Sequence, residues 1–171
     1  MLAFIRAGDF KSAREQYKIA SSLHSTKYLD NYDINMAGVE LTEGNKSAAE
    51  ALLQNVLSST KGKSAAALNF YIKFQENELR QEKNPKDILS IQDKIIQLYD
   101  QSYQLNKDPF ILYRLGQIYI ARKDKLKAIE LFEKAVKAYP PGNIYGDNSA
   151  KIVRKLKQQI RNFDRINQYE R

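Results

Sequence analysis

The stretch from Pro109 to Pro140 constrains the fold more than any other part of this chain. It holds two amphipathic runs separated by a short charged turn at 122–125. Apolar and small residues recur in each run at intervals of three and four, which fits the period of a helix and not the two-residue period of a strand. Pro140 and Pro141 end the second run, because proline lacks a backbone N–H and restricts the residue before it. The stretch therefore predicts two helices that pack face to face. The facing positions are Leu112, Leu115, Gly116 and Tyr119 in the first run, and Ala128, Leu131, Phe132, Ala135 and Val136 in the second.

The spacing of these residues resembles a tetratricopeptide repeat (TPR), a helix–turn–helix unit of about 34 residues. The matching positions are Leu115, Gly116, Tyr119, Ala128, Phe132, Ala135 and Pro140. Leu112 is the one departure, since it stands where tryptophan is usual. The resemblance implies an all-α fold, a TPR-like right-handed superhelix of antiparallel helix pairs with a C-terminal capping helix. It implies little about function, because function depends on sites carried by a fold.

Weaker copies of the repeat precede this stretch. Ala13, Tyr17 and Ala20 keep the second-helix spacing, so residues 1–25 resemble a partial repeat, too short at its start for a full first helix. The expectation is that the N-terminus is truncated. Residues 28–60 resemble a complete repeat, with its turn at Gly44-Asn45, one residue shorter than the turn at 122–125. The positions that carry this resemblance are Ile34, Ala37, Gly38, Leu41, Ala49, Leu53 and Val56.

The remaining segments complete the predicted organisation. Residues 64–106 resemble a degenerate repeat with an insertion, whose helices run from Ser64 to about Gln81 and from about Lys86 to Leu105. Asn84-Pro85 separates these helices, and Asp87 or Ser90 is expected to cap the second one. After the regular repeat at 109–141 and a loop, the segment 147–169 is a predicted capping helix that starts at Asn148 or Ser149. Residues 1–171 are thus expected to form a single TPR-like domain.

Composition excludes several functional classes. The chain is 43% hydrophobic and 28% charged, as in globular proteins. It has no apolar run of the roughly 18 residues that span a bilayer, and residues 1–6 lack the long apolar core expected of a signal peptide. It has no cysteine, which excludes thiol catalysis, disulfides and cysteine-ligated zinc. The compartment stays open, with the cytoplasm slightly favoured.

Candidate catalytic and metal-binding residues are few. His24 is the single histidine, and its predicted place at a helix end favours a capping role over that of a general base. The carboxylate pairs Asp30/Asp33 and Glu40/Glu43 favour solvated helix charges over metal ligands, because no other ligand type lies nearby. The sequence therefore predicts a non-enzymatic protein without a metal or cofactor.

The resemblance implies a concave groove, lined by the first helix of each repeat, that binds a segment of a partner protein. Its positions carry aromatic, aliphatic and amide groups with little charge. Alternatively, neighbouring helices partly cover Leu68, Ile72 and Phe110, which would then not line the groove. The predicted partner-binding residues are Tyr32, Asn35, Val39, Leu68, Ile72, Phe110, Tyr113, Gln117 and Ile120.

Most of the positive charge lies near the C-terminus. Residues 121–171 hold 13 Lys and Arg against 6 Asp and Glu, out of a net charge of +8 for the chain. A basic surface of this kind attracts nucleic acid or an anionic membrane, and it also serves as the solvated face of a capping helix. The candidate anion-binding residues are Lys151, Arg154, Lys155, Lys157, Arg161 and Arg165. A homodimer through the groove or the N-terminal end is a further possibility.

Overall fold

A computed structural model describes the backbone of residues 1–23 and 26–169, and the side chains of residues 1–23 and 30–163. Within these ranges the chain forms helices and no strand, which confirms the all-α prediction. The helices are α1 (Leu2–Arg6), α2 (Phe10–Ser22), α3 (Thr26–Thr42), α4 (Lys46–Ser59), α5 (Ala65–Gln81), α6 (Pro85–Asn106), α7 (Pro109–Ala121), α8 (Lys125–Ala138) and α9 (Ile144–Tyr169). They cluster into two compact units, Met1–Glu82 (unit 1) and Lys83–Arg171 (unit 2). The single-domain expectation stays a prediction.

Unit 1 is built around the helix pair α3 and α4. Helix α2 packs against α3, and α5 packs against both α3 and α4. Because α3 has neighbours on several sides, the apolar side chains described from residue 30 onward in this helix are buried or half-buried. The fully buried apolar side chains of this unit are Ala13, Ala37, Val39, Ala49, Leu53, Val56, Ala67 and Leu68.

The segment 64–106, which the sequence predicts to be a degenerate repeat, forms two long helices. Helices α5 and α6 have 17 and 22 residues, against 13 and 14 for α7 and α8. That this segment is a repeat with an insertion stays a prediction, because the boundary between the two units falls after Glu82, between these helices.

Unit 2 is built around the helix pair α7 and α8, with α9 packed along α8 and also touching α7. Phe132 lies at the centre of its core, fully buried. A Cβ atom placed on Gly116 would lie 2.8 Å from two carbons of the Phe132 ring, so this glycine lets the ring contact the α7 backbone directly. The predicted facing residues of α8 are buried with one exception. Val136, expected to face inward, is 37% exposed, because the apolar face of α9 covers its neighbours and leaves Val136 at the edge.

Two helix starts differ from the prediction, and in both cases an asparagine upstream supplies the cap. Helix α6 is capped by Asn84, whose side chain accepts a hydrogen bond from the Lys86 N–H at 3.0 Å, in place of Asp87 or Ser90. Helix α9 begins at Ile144, because the Asn143 side chain accepts hydrogen bonds from the N–H groups of Tyr145 (2.9 Å) and Gly146 (3.3 Å). The predicted loop at 142–147 is therefore mostly the first turn of α9.

Candidate protein-interaction site

Four aromatic residues of unit 2 meet where α7 and α9 approach one another. Tyr145 is central, and its ring centroid lies 4.9 Å from that of Phe110, 5.3 Å from that of Tyr113 and 6.0 Å from that of Tyr139. The contacts with Phe110 and Tyr113 are edge-to-face, an arrangement that aromatic quadrupoles favour. We call Phe110, Tyr113, Tyr139 and Tyr145 the aromatic surface.

Local sequence features explain why these rings meet. Asp108 caps α7 by accepting a hydrogen bond from the Phe110 N–H at 2.9 Å, so Phe110 and Tyr113 lie one turn apart at the start of α7. Gly146 brings the first turn of α9 close to the end of α8, since a Cβ atom there would lie 3.0 Å from Cβ of Tyr139. The early start of α9 then places Tyr145 between α7 and Tyr139.

The aromatic surface joins the core of unit 2 to the solvent. The Tyr113 ring contacts the buried Phe132 ring, with centroids 5.7 Å apart, and is itself only half-buried. Tyr145 is 39% exposed. Burial, together with the nearby Asp108 carboxylate, raises the pKa of the Tyr139 phenol further above physiological pH, where a phenol is already neutral. These rings form a partly exposed, uncharged surface that the buried Phe132 ring supports through Tyr113.

Two further predicted groove residues continue along α7. The Gln117 side-chain oxygen accepts a hydrogen bond from Arg114 at 3.1 Å, and Arg114 also donates to the Tyr99 hydroxyl at 3.2 Å. Ile120 is exposed one turn further on. The structure thus brings Phe110, Tyr113, Gln117 and Ile120 together along one helix, partly or fully exposed.

The groove residues predicted in unit 1 are largely buried, and this corrects the sequence analysis. Val39 and Leu68 have no exposed surface and Ile72 is 5% exposed, so these three belong to the core. The reason is that α5 packs on α3: a Cβ atom on Gly38 would lie 3.6 Å from the Phe70 ring. Tyr32 and Asn35 remain half-buried.

The basic residues of α9 lie on its exposed side. Lys151, Arg154, Lys155, Lys157 and Arg161 are all exposed, and residues 148–163 contain no acidic residue. Lys157 forms an ion pair with Glu133 at 2.6 Å. The side chain of the sixth predicted residue, Arg165, falls outside the described residues.

The acidic pairs have side-chain partners within the protein, and only Glu40 among them is buried, while Glu43 is exposed. Glu40 and Glu43 both bind the guanidinium of Arg14. Asp33 accepts a hydrogen bond from the Tyr17 hydroxyl at 2.7 Å. His24 falls outside the described residues. Across the described residues no group of three or more acidic, histidine or cysteine side chains could hold a metal ion. Nor is any described helix long and apolar enough to cross a membrane.

Sequence reasoning missed Tyr139 and Tyr145 as members of the site. The glycines at 142 and 146 predict a loop around Tyr145. A signal was present, since an asparagine two residues before Tyr145 is typical of a helix cap.

The fold and this surface define an all-α repeat protein. A model of the tetratricopeptide repeat family matches residues 109–141. The chain therefore carries a tetratricopeptide repeat at the stretch that the sequence identified, within a fold of the same kind. It is similar to the crystal structure of a tetratricopeptide repeat protein from Parabacteroides merdae ATCC 43184, with a TM-score of 0.67 and 19% sequence identity. That match covers 98% of this chain and 61% of the other, so the chain spans about three fifths of its length. At this identity the match establishes the fold alone.

Proposed function

We propose that the chain is a non-enzymatic protein-interaction module that binds a partner segment on the aromatic surface of unit 2. Tetratricopeptide repeats generally mediate protein–protein interaction or scaffolding, and the matched repeat is the one that presents this surface. The observation that carries the proposal is a cluster of mutually packed rings that is only partly buried. Rigid, semi-exposed aromatic residues are the groups that most often dominate binding energy at interfaces.

The chemistry of the surface indicates the kind of segment it accepts. The rings of Phe110 and Tyr145 offer an apolar contact area, and Ile120 extends it along α7. The side chain of Gln117 can hydrogen-bond a partner's backbone. The expected ligand is therefore a short segment that inserts an aliphatic or aromatic side chain, with few charges. In unit 1, Tyr32 and Asn35 stay candidates for a separate contact.

Peptide selection with matched tyrosine variants tests this proposal. Peptides selected from a random display library against the full chain are expected to be apolar or aromatic. Tyr145→Ala should weaken their binding by about tenfold or more, because the central ring is lost. Tyr103→Ala, which removes a half-buried tyrosine of α6, is the matched control and should leave the affinity within about twofold. Equal binding to wild type and to Tyr145→Ala would overturn the proposal.

Tyr113→Ala is expected to lower affinity as well, but it also removes a contact with the Phe132 ring. Its thermal unfolding therefore has to be measured alongside binding. Because the surface carries no net charge, affinity should change little with ionic strength. The same purified chain reports on the homodimer hypothesis through its mass in solution, and a strict monomer would reject it.

A second candidate function is anion binding through the basic face of α9. It is favoured by five exposed basic side chains in a segment without acidic residues. Binding to duplex nucleic acid or to anionic vesicles should then fall steeply with salt, and the pair Lys155→Glu and Lys157→Glu should abolish it. Lys155 is the more informative of the two, because Lys157 already pairs with Glu133.

A further inference from the structure

A cleft of about 370 Å³ lies between α8 and α9, away from the residues of the aromatic surface. Its lining consists of Glu133, Val136 and Lys137 from α8 and Ala150, Val153 and Arg154 from α9. Three of these residues are apolar, and Val136 is the α8 side chain that the repeat spacing predicted to be buried. An aliphatic side chain is thus left in contact with solvent inside a concave surface, a feature typical of binding sites.

A second exposed apolar side chain lies further along α8. Leu126 lies two helical turns before Glu133 on the same side of the helix, and it is 73% exposed. Ile129, three residues after Leu126, is buried in the core with Val153 and Leu156 of α9 and is not part of this exposed side. Leu126 and Val136 are therefore the exposed apolar side chains that α8 presents beside the cleft.

The rim of the cleft is positively charged. Lys137 and Arg154 border it directly, and Arg161 lies two turns beyond Arg154 on α9. The acidic side chains of α8 are already paired: Glu130 binds Lys127 at 2.8 Å and Lys134 at 2.6 Å, and Glu133 binds Lys157. An occupant that complements this rim carries carboxylates.

We propose that the α8/α9 cleft binds an acidic amphipathic helix of a partner protein. Its aliphatic side chains would pack on Val136, Ala150 and Val153, and its Asp or Glu residues would reach Lys137 and Arg154. The small side chain of Ala150 permits close approach of a helix backbone. Nucleic acid fits less well, because none of the lining residues is aromatic and able to stack on bases. A flat membrane fits less well because the apolar residues lie inside a concavity. This site is independent of the aromatic surface.

The probe for the test is a panel of synthetic helical peptides with glutamates flanking a strip of Ala, Val, Leu or Ile. Each member is paired with a version in which lysine replaces glutamate. Fluorescence anisotropy with the full chain is expected to detect binding of at least one acidic member. Its lysine version should bind about tenfold more weakly or worse, because like charges then meet at the rim. Failure of every acidic member to bind at about 1 mM would overturn the proposal.

Matched variants then place the peptide on the cleft. Val136→Glu and Arg154→Glu should each weaken binding of the acidic peptide by about tenfold, with helix content and thermal unfolding unchanged because both residues are exposed. Lys155→Glu is the control, since it makes the same charge change on an exposed neighbour that does not line the cleft. Equal weakening by Lys155→Glu, or competition by duplex DNA, would indicate general anion attraction and reject the site. Tyr145→Ala should have no effect here, so this proposal and the aromatic-surface proposal can fail separately.

Discussion

The helix pairs α3–α4 of unit 1 and α7–α8 of unit 2 share one turn but differ in how their helices pack. In the first turn the N–H of Asn45 donates to the carbonyl of Glu40 (2.8 Å), and in the second the N–H of Asp124 donates to that of Tyr119 (2.9 Å). Each turn has three residues between helices and one residue with positive φ, Gly44 or Lys123. The prediction of a shorter turn in unit 1 is therefore wrong. Instead, α7 extends one residue further beyond Gly116 than α3 extends beyond Gly38.

The packing differs at the glycine inside the first helix of each pair. Gly116 lies directly against the buried ring of Phe132, whereas Gly38 has the fully buried Leu53 at the equivalent second-helix position. The nearest side chain to a Cβ on Gly38 comes from Phe70 of α5, at 3.6 Å. The space beside the glycine is thus filled in two ways. In α7–α8 one large ring of the pair fills it, and in α3–α4 a smaller residue and the neighbouring helix α5 fill it.

The largest expected effect comes from Phe132→Ala. Removing a fully buried ring leaves a cavity, which should lower the free energy of unfolding by about 3–5 kcal/mol. Chemical denaturation followed by circular dichroism measures this loss. Because Tyr113 packs on the same ring, selected peptides should also bind the variant more weakly. A loss below about 1 kcal/mol would contradict the central role given to Phe132.

Alanine substitution of the two glycines should change the stability of the protein differently in the two helix pairs. Gly116→Ala should destabilise the protein by about 1–2 kcal/mol, since overpacking against Phe132 outweighs the better helix propensity of alanine. Gly38→Ala meets only ordinary contact with Phe70, so it should be neutral or stabilising by up to about 1 kcal/mol.

A rescue variant sharpens this comparison. Combining Gly116→Ala with Phe132→Leu reproduces the smaller residue found in unit 1, and the double variant should be more stable than additive losses predict. Strict additivity in the denaturation midpoints would show that the two residues do not act through their contact.

Exchanging glycine and lysine at the positive-φ positions of the two turns should change stability by smaller amounts and in opposite directions. Gly44→Lys places a side chain at φ +83°, with open space around it, and should cost about 1 kcal/mol through backbone strain alone. Lys123→Gly relieves the same strain at φ +63° and should stabilise by less than about 1 kcal/mol. Thermal unfolding of both variants tests the equivalence of the turns. A change in the same direction for both would refute it.

The smallest effect is a dependence on pH. The hydrogen bond from Arg14 lowers the pKa of the largely buried Glu40, although burial opposes this. Because the folded pKa lies below the unfolded one, the stabilisation is present above the unfolded value of about 4.3 and is lost as pH falls through the folded value. When the Glu40→Gln variant is titrated with acid, it should not show this part of the loss of stability.

Glu130 of unit 2 provides the contrast. Hydrogen bonds from Lys127 and Lys134 lower its pKa to about 2, yet these pairs are exposed and solvent screens them. We expect Glu130→Gln to leave the acid stability curve nearly unchanged. A larger shift for Glu130→Gln than for Glu40→Gln would reverse the comparison.

The sequence by itself determined the local features of this protein. The period of three and four identified every helix of the regular repeat and placed Leu112, Leu115, Gly116 and Phe132 in its core. It also identified the breaks at Asn84-Pro85 and after Ala138, because proline and capping residues act within a few positions along the chain.

Only the tertiary structure decided which apolar side chains are covered. Val39, Leu68 and Ile72 have the spacing of groove residues but are buried, because α5 packs on α3. Val136 has the spacing of a core residue but is exposed at the edge of α9. Tyr145 joins Phe110 and Tyr113 through contacts between helices that sequence spacing does not specify. Periodicity describes one helix at a time, whereas burial depends on the area that neighbouring helices remove from water.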